Sequence, residues 1–222
     1  MKKLTQISIV FFLLFSLILN GQNDLSQIKN KRVLIVYGGW EWHYPEVFAT
    51  KIASWLEDQK AIVTLSKSTK IYLDEHVMNN VDLIIQHITM SEISELESKA
   101  LQKAIAGGVG LAGCHGGLGD AFRNNTEYQY MVGGQFVKHP GGQVDYSVKI
   151  AKLQNPILKG INNFTLHSEQ YYMHVDPAIK VLATTRFSKE HDSWIEGIEM
   201  PVVWTKSYGK GRVFYSSLGH NK

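Results

Sequence analysis

Arg32-Val33-Leu34-Ile35-Val36-Tyr37 is apolar without a break after its first residue and stops at Gly38-Gly39. A strand with one wet face would alternate. A continuous run ending in glycine is the pattern of a parallel strand buried on both faces. Pro45 then opens a helix to about Gln59, with Val47, Phe48, Ile52, Trp55 and Leu56 as its apolar stripe. Ala61 to Leu65 reads as a second strand and, after a short helical or irregular stretch around Asp74 to Asn79, Val81 to Ile85 as a third. Ser91 begins the next helix with an acidic first turn, and Leu96, Ala100, Leu101, Ala104 and Ile105 form its inner face until Gly107-Gly108 ends it. Val109 to Ala112 is a short strand leading into Gly113-Cys114-His115. Strands alternating with helices, joined by right-handed crossovers, predict a parallel sheet. The second half is richer in strands: Asp145 to Ile150, Phe164 to His167, Lys180 to Thr185, Met200 to Trp204 and Arg212 to Ser216. A hairpin turn at Tyr208-Gly209-Lys210-Gly211 joins the last two. With no repeat or linker, the expectation is one α/β domain.

Ahead of this domain, Lys2 and Lys3 precede an uncharged apolar run from Ile7 to Leu19, followed by Asn20-Gly21-Gln22. This is the pattern of a secretory signal peptide over residues 1–21, too short to span a bilayer comfortably. The expected location is periplasmic or secreted, with no stable membrane insertion after cleavage and no cysteine there for a lipid anchor. Without the two lysines the formal charge falls from +3 to +1. No Lys/Arg stripe remains to support nucleic-acid binding. Cys114 is the single cysteine, which rules out an intrachain disulfide framework.

Four histidines sit beside glycines or at strand ends: His43 after Gly38-Gly39-Trp40, His115 in Gly113-Cys114-His115-Gly116-Gly117, His139 after Gly133-Gly134, and His220 after Gly219. Loops after the strands of an open α/β sheet are where ligands bind, and histidine titrates near neutral pH. Trp42 beside His43 offers an aromatic wall suited to a sugar. His87 ends the third strand and is a weaker candidate. The turn at 113–117 is similar to a nucleophile elbow, which makes Cys114 a candidate nucleophile; adjacent side chains on extended backbone point apart, so His115 is the better site residue. The densest polar-aromatic stretch is Leu166 to His174. There Glu169 and Tyr171 face one way and Ser168, Gln170 and Tyr172 the other. Glu169 is the expected acid/base, with Tyr172 and His174 as binding groups. Several histidines and a carboxylate also suit a divalent ion such as zinc, with His115, His139 and Glu169 as first choices, although no HxxxH spacing is present.

Taken together, Tyr37-Gly38-Gly39 with His43, Gly113 to Gly117, Asp120-Ala121-Phe122-Arg123, Gly133 to Pro140, Ser168 to Tyr172, Pro201 to Trp204 and Tyr208 to His220 resemble the trehalose-utilisation ThuA-like family. The resemblance runs in order through a domain at 31–222. It implies a flavodoxin-like fold of the class I glutamine amidotransferase-like type: a mostly parallel sheet, helices on both faces and a strand-rich C-terminal half. It does not imply amidotransferase chemistry, because members of the family generally lack the cysteine. Many members have Asp-Glu where this chain has Ser168-Glu169, so only Glu169 carries over; the family usually continues through a further terminal helix. The implied substrate is a small sugar, glycoside or keto-sugar, with Glu169 and His115 as acid/base or metal-holding groups and Trp42, His43, His139, Tyr172, His174 and His220 as binding groups. A non-catalytic carbohydrate-binding protein and a cysteine hydrolase are the alternative expectations.

Overall fold

The computed structural model describes residues 25–220; the expected signal peptide and Asn221-Lys222 lie outside them. The expected central strand forms as β1 (Arg32–Gly39), with Val33 to Val36 fully buried. Around it lie β2 (Ile62–Ser66), β3 (Leu83–Thr89), β4 (Gly110–Cys114) and, from the far end of the described chain, β11 (Gly211–Ser216). These pair in the order β2-β1-β3-β4-β11, all parallel. The sheet then continues β11-β10-β9-β6-β7 through β10 (Glu199–Tyr208), β9 (Lys180–Arg186), β6 (Gln143–Ile150) and β7 (Phe164–Glu169), all antiparallel. The expectation of a mostly parallel sheet is therefore corrected to a mixed one. The strand-rich second half extends the same sheet in hairpin fashion, starting with the predicted turn between Tyr208 and Gly211.

Both faces of the parallel half are covered. Helix α1 (Pro45–Asp58) packs Ala49, Ala53 and Leu56 onto Val33, Ile35 and Tyr37. Its buried stripe is rotated from the one expected: Val47 and Trp55 face outward, and Ala49 and Ala53 join Leu56 on the buried side. After a single turn, α2 (Glu75–Met78), helix α3 (Glu95–Gly107) covers the other face, with Leu101 and Ile105 against Leu34, Val36 and Ile84. It starts at Glu95 rather than Ser91. Ser94 and Glu97 form a reciprocal capping box, which satisfies two backbone donors and fixes the start there. Leu96 consequently points to solvent.

Beyond β4 come a tight turn, α4 (Gly116–Gly119), and α5 (Thr126–Val132), capped by the side chain of Asn125. Two further strands, β5 (Gly134–Lys138) and β8 (Tyr172–Val175), pair only with each other. The pattern reading missed α5, β5 and β8. Trp204, fully buried on β10, donates its indole N–H to Val132 O at 3.0 Å and ties α5 to the sheet. Lys206, buried beside it, pairs with Asp176 at 2.6 Å and donates to Tyr130 O. Among the described residues no helix is long and apolar enough to cross a membrane.

Candidate functional site

Neighbouring parallel strands release their chains at one edge of the sheet. His43 follows β1, Thr89 ends β3, His115 follows β4, and Ser217 to His220 follow β11. That edge includes the switch between β1 and β3, where doubly wound sheets open a crevice. Close approach at the edge depends on glycine. A side chain at Gly39 (φ +78°) would meet the Thr89 backbone oxygen at 2.0 Å. One at Gly116 would meet the His43 ring at 2.8 Å.

His115 occupies the turn itself, at φ 52° and ψ −144°, a region that costs a residue with a side chain about 1–3 kcal/mol. It is held there fully buried: its N–H donates to Ser216 O, and its Nδ1 lies 2.8 Å from Ser217 O. The carbonyl can only accept, so Nδ1 carries a proton and Nε2 is the nitrogen turned toward the cluster. Around Nε2 lie Tyr171 Oη at 2.7 Å, Glu169 Oε2 at 3.1 Å and His220 Nδ1 at 3.3 Å. His220 Nδ1 is also 3.3 Å from the same Glu169 oxygen. His43 approaches from the β1 side, its ring 4.8 Å from that of His115. Thr89 Oγ1 engages its Nδ1 at 2.9 Å, and its Nε2 is buried with no partner. One ligand atom each from His43, His115, Glu169 and His220 lies within 4.8 Å of the others.

Burial would raise the Glu169 carboxyl, but the His115 hydrogen bond and the nearby His139, His115 and His220 outweigh it and hold it below its ordinary value. Burial, reinforced by His115 and His220, pushes His43 down to about 4. Burial also lowers His220, where the pull of Glu169 only partly compensates. The site therefore holds an ionised carboxylate close to two rings, His43 and His220, biased toward the neutral form.

Other sequence candidates lie further out. His139 Nε2 is 3.8 Å from Glu169 Oε1, and its ring stacks on Phe136. Trp42 is 68% exposed beside His43, and Trp40 lies edge-on to His43 at 4.8 Å. Tyr172 turns toward Phe187 and His174 is exposed on β8, so neither joins the cluster. Tyr171 and Thr89 are the site residues the sequence reading passed over. Tyr171 shares the face of Glu169 by alternation; nothing local marks Thr89. Cys114 faces His87, with Sγ 4.0 Å from Nδ1, and burial pushes its thiol up to about 12, so it holds no thiolate at neutral pH.

The sequence profile of the ThuA family, described as trehalose utilisation, matches residues 32–222. The chain belongs to the ThuA family. Solved ThuA-like proteins share its fold. One from Bacteroides uniformis is 17% identical with a TM-score of 0.70, over 86% of this chain and 82% of that one. One from Parabacteroides merdae is 19% identical with a TM-score of 0.71, over 87% and 81%. A β-galactosidase from Bacillus circulans is similar over 86% of this ThuA chain and 29% of its own, at 11% identity and a TM-score of 0.54. Among individually curated proteins none matches.

Proposed function

We propose that this ThuA-family chain is an exported protein that processes a glycoside or keto-sugar at the cluster of His43, His115, Glu169 and His220. The observation carrying this reading is the convergence of those four side chains on one buried point at the carboxyl edge of the sheet. The family's link to trehalose utilisation and the exposed Trp40 and Trp42 beside His43 support a sugar as the substrate class. The leader pattern supports export, and the parallel half, read with the family resemblance, supports a flavodoxin-like origin of the fold. Removing a proton beside a sugar carbonyl requires a base and a group that polarises the oxygen. Glu169, held ionised, is suited to the first role in a proton-transfer mechanism, with His115 as its partner. A cation held among the same residues would instead supply the polarisation.

The test is turnover of trehalose and its 3-keto derivative by the parent, by Glu169→Gln and by His115→Ala, each shown by circular dichroism to be folded. Loss of at least about 100-fold in both variants is expected for groups that move protons or hold the reacting oxygen. Equal turnover by parent and variants overturns the reading. Sugar binding without turnover in the parent assigns the cluster to recognition instead.

A further inference from the structure

We propose that His43, His115, Glu169 and His220 form a binding site for one divalent transition-metal ion, zinc in the first instance, with His139 outside it. This inference concerns the same side chains as the carbohydrate reading but stands on ligand geometry, so each can fail without the other.

Three atoms form a tight triangle: His115 Nε2 to Glu169 Oε2 at 3.1 Å, His220 Nδ1 to Glu169 Oε2 at 3.3 Å, and His115 Nε2 to His220 Nδ1 at 3.3 Å. Zinc takes nitrogen and oxygen ligands at about 2.0–2.2 Å, which sets neighbouring ligands of a tetrahedron about 3.3–3.6 Å apart. The triangle is close to one face of that tetrahedron. Hydrogen bonding accounts for part of it, since Tyr171 Oη lies 2.7 Å from His115 Nε2, but a cation that takes that nitrogen satisfies all three atoms together. The fourth corner falls to His43, whose Nε2 is buried and without a partner, a costly state for a polar atom unless something binds it.

The outer contacts are those a metal-holding histidine needs. His115 has its other nitrogen on Ser217 O and His43 has its own on Thr89 Oγ1, which orients both rings. A set of three imidazoles and one carboxylate suits zinc or a neighbouring first-row ion, whereas calcium and magnesium take oxygen ligands. A cavity of about 120 Å³ borders His43 and His220, between α1 and Gly219. His139 differs in reach: its Nδ1 is buried without a partner like Nε2 of His43, but its Nε2 approaches only the other oxygen of Glu169, at 3.8 Å, which leaves it outside the triangle.

The experiment uses the untagged chain, purified without chelator. Bound metal is measured by elemental analysis and zinc affinity by competition with a chromophoric chelator. One zinc per chain is expected in the parent. Losing a ligand should cost more than the 10–100-fold typical of an outer-contact mutation, so Glu169→Gln and His220→Ala should each weaken binding by at least about 100-fold. His139→Ala should stay within about threefold of the parent. Glu169→Gln preserves shape, and zinc should raise the melting temperature of the parent but not of this variant. A parent that takes up no stoichiometric zinc, cobalt, nickel or manganese overturns the proposal, as does a His139→Ala variant as weak as His220→Ala. No sugar enters the assay, so its failure leaves the carbohydrate reading standing.

Discussion

The hydroxyl of Tyr171 lies 2.7 Å from Nε2 of His115, with the two rings stacked 4.3 Å apart between centroids. Burial holds this phenol well above its ordinary pKa, so it stays protonated and acts as a hydrogen-bond donor amid acceptors. Tyr171→Phe keeps the stacked ring and removes only the donor. Stability should fall by about 0.5–1.5 kcal/mol, the net value of one hydrogen bond. Turnover should fall much further, about 10–100-fold, if the hydroxyl holds a reacting oxygen. Urea unfolding and steady-state kinetics separate the two; a loss of stability alone makes Tyr171 a packing residue.

Gly39 and Gly142 form a matched pair, both at positive φ (+78° and +73°). A methyl group at Gly142 meets open space, whereas one at Gly39 meets Thr89 backbone atoms at 2.0–2.9 Å. Gly142→Ala should cost about 1 kcal/mol, the backbone strain alone. Gly39→Ala should cost at least about 3 kcal/mol, because overpacking adds to that strain. It should also disable the site by moving Thr89 off His43. Equal costs in denaturant titrations would contradict the close approach of β1 and β3.

The Lys206–Asp176 pair makes stability depend on pH in a defined direction. The Lys206 hydrogen bond and the backbone N–H of Ala178 hold the Asp176 carboxyl below its ordinary 3.8. A lowered folded-state pKa contributes stability that is present above about 3.8 and disappears as pH falls through the folded value. Asp176→Asn should remove that acid-limb contribution. At pH 7 it should cost about 3 kcal/mol, since it leaves a buried ammonium without its counter-ion. Denaturant titrations of both proteins between pH 7 and pH 3 provide the check, and parallel pH profiles would refute the assignment.

Cys114→Ser should leave turnover within about twofold of the parent, and iodoacetamide at neutral pH should not inhibit, because a thiol pushed up to about 12 presents almost no thiolate. A tenfold loss in either experiment would restore cysteine chemistry as a live mechanism.

The sheet's parallel half was legible because burial on both faces leaves a long apolar run, as in Val33 to Tyr37. Its neighbours were not. The pairing of β4 with β11 joins Leu111 to Val213 across a hundred residues, and local periodicity carries no record of it. β5 and β8 were missed because each pairs only with the other and neither shows a sustained alternation. At the site, glycine beside histidine pointed to His43, His115 and His220, and alternation placed Tyr171 on the face of Glu169. His139 has the same glycine context, yet its ring lies on Phe136 at the margin, a distinction made only by packing.

The insertion of β11 between β4 and β10 has a consequence for how the molecule is made. On a ribosome, β1 to β4 emerge first and wait with one edge of β4 unpaired, while the antiparallel strands have no parallel half to join. Residues 211–216, the last-made strand among those described, close that seam. His43 and His115 then lie on one side of it, Glu169 comes from the later-made half, and His220 arrives with the closing strand's own exit. A nascent chain stopped short of residue 211 would carry three of the four side chains, divided between the two parts of a split sheet. Ligand binding would therefore report that the chain has been made and folded past His220.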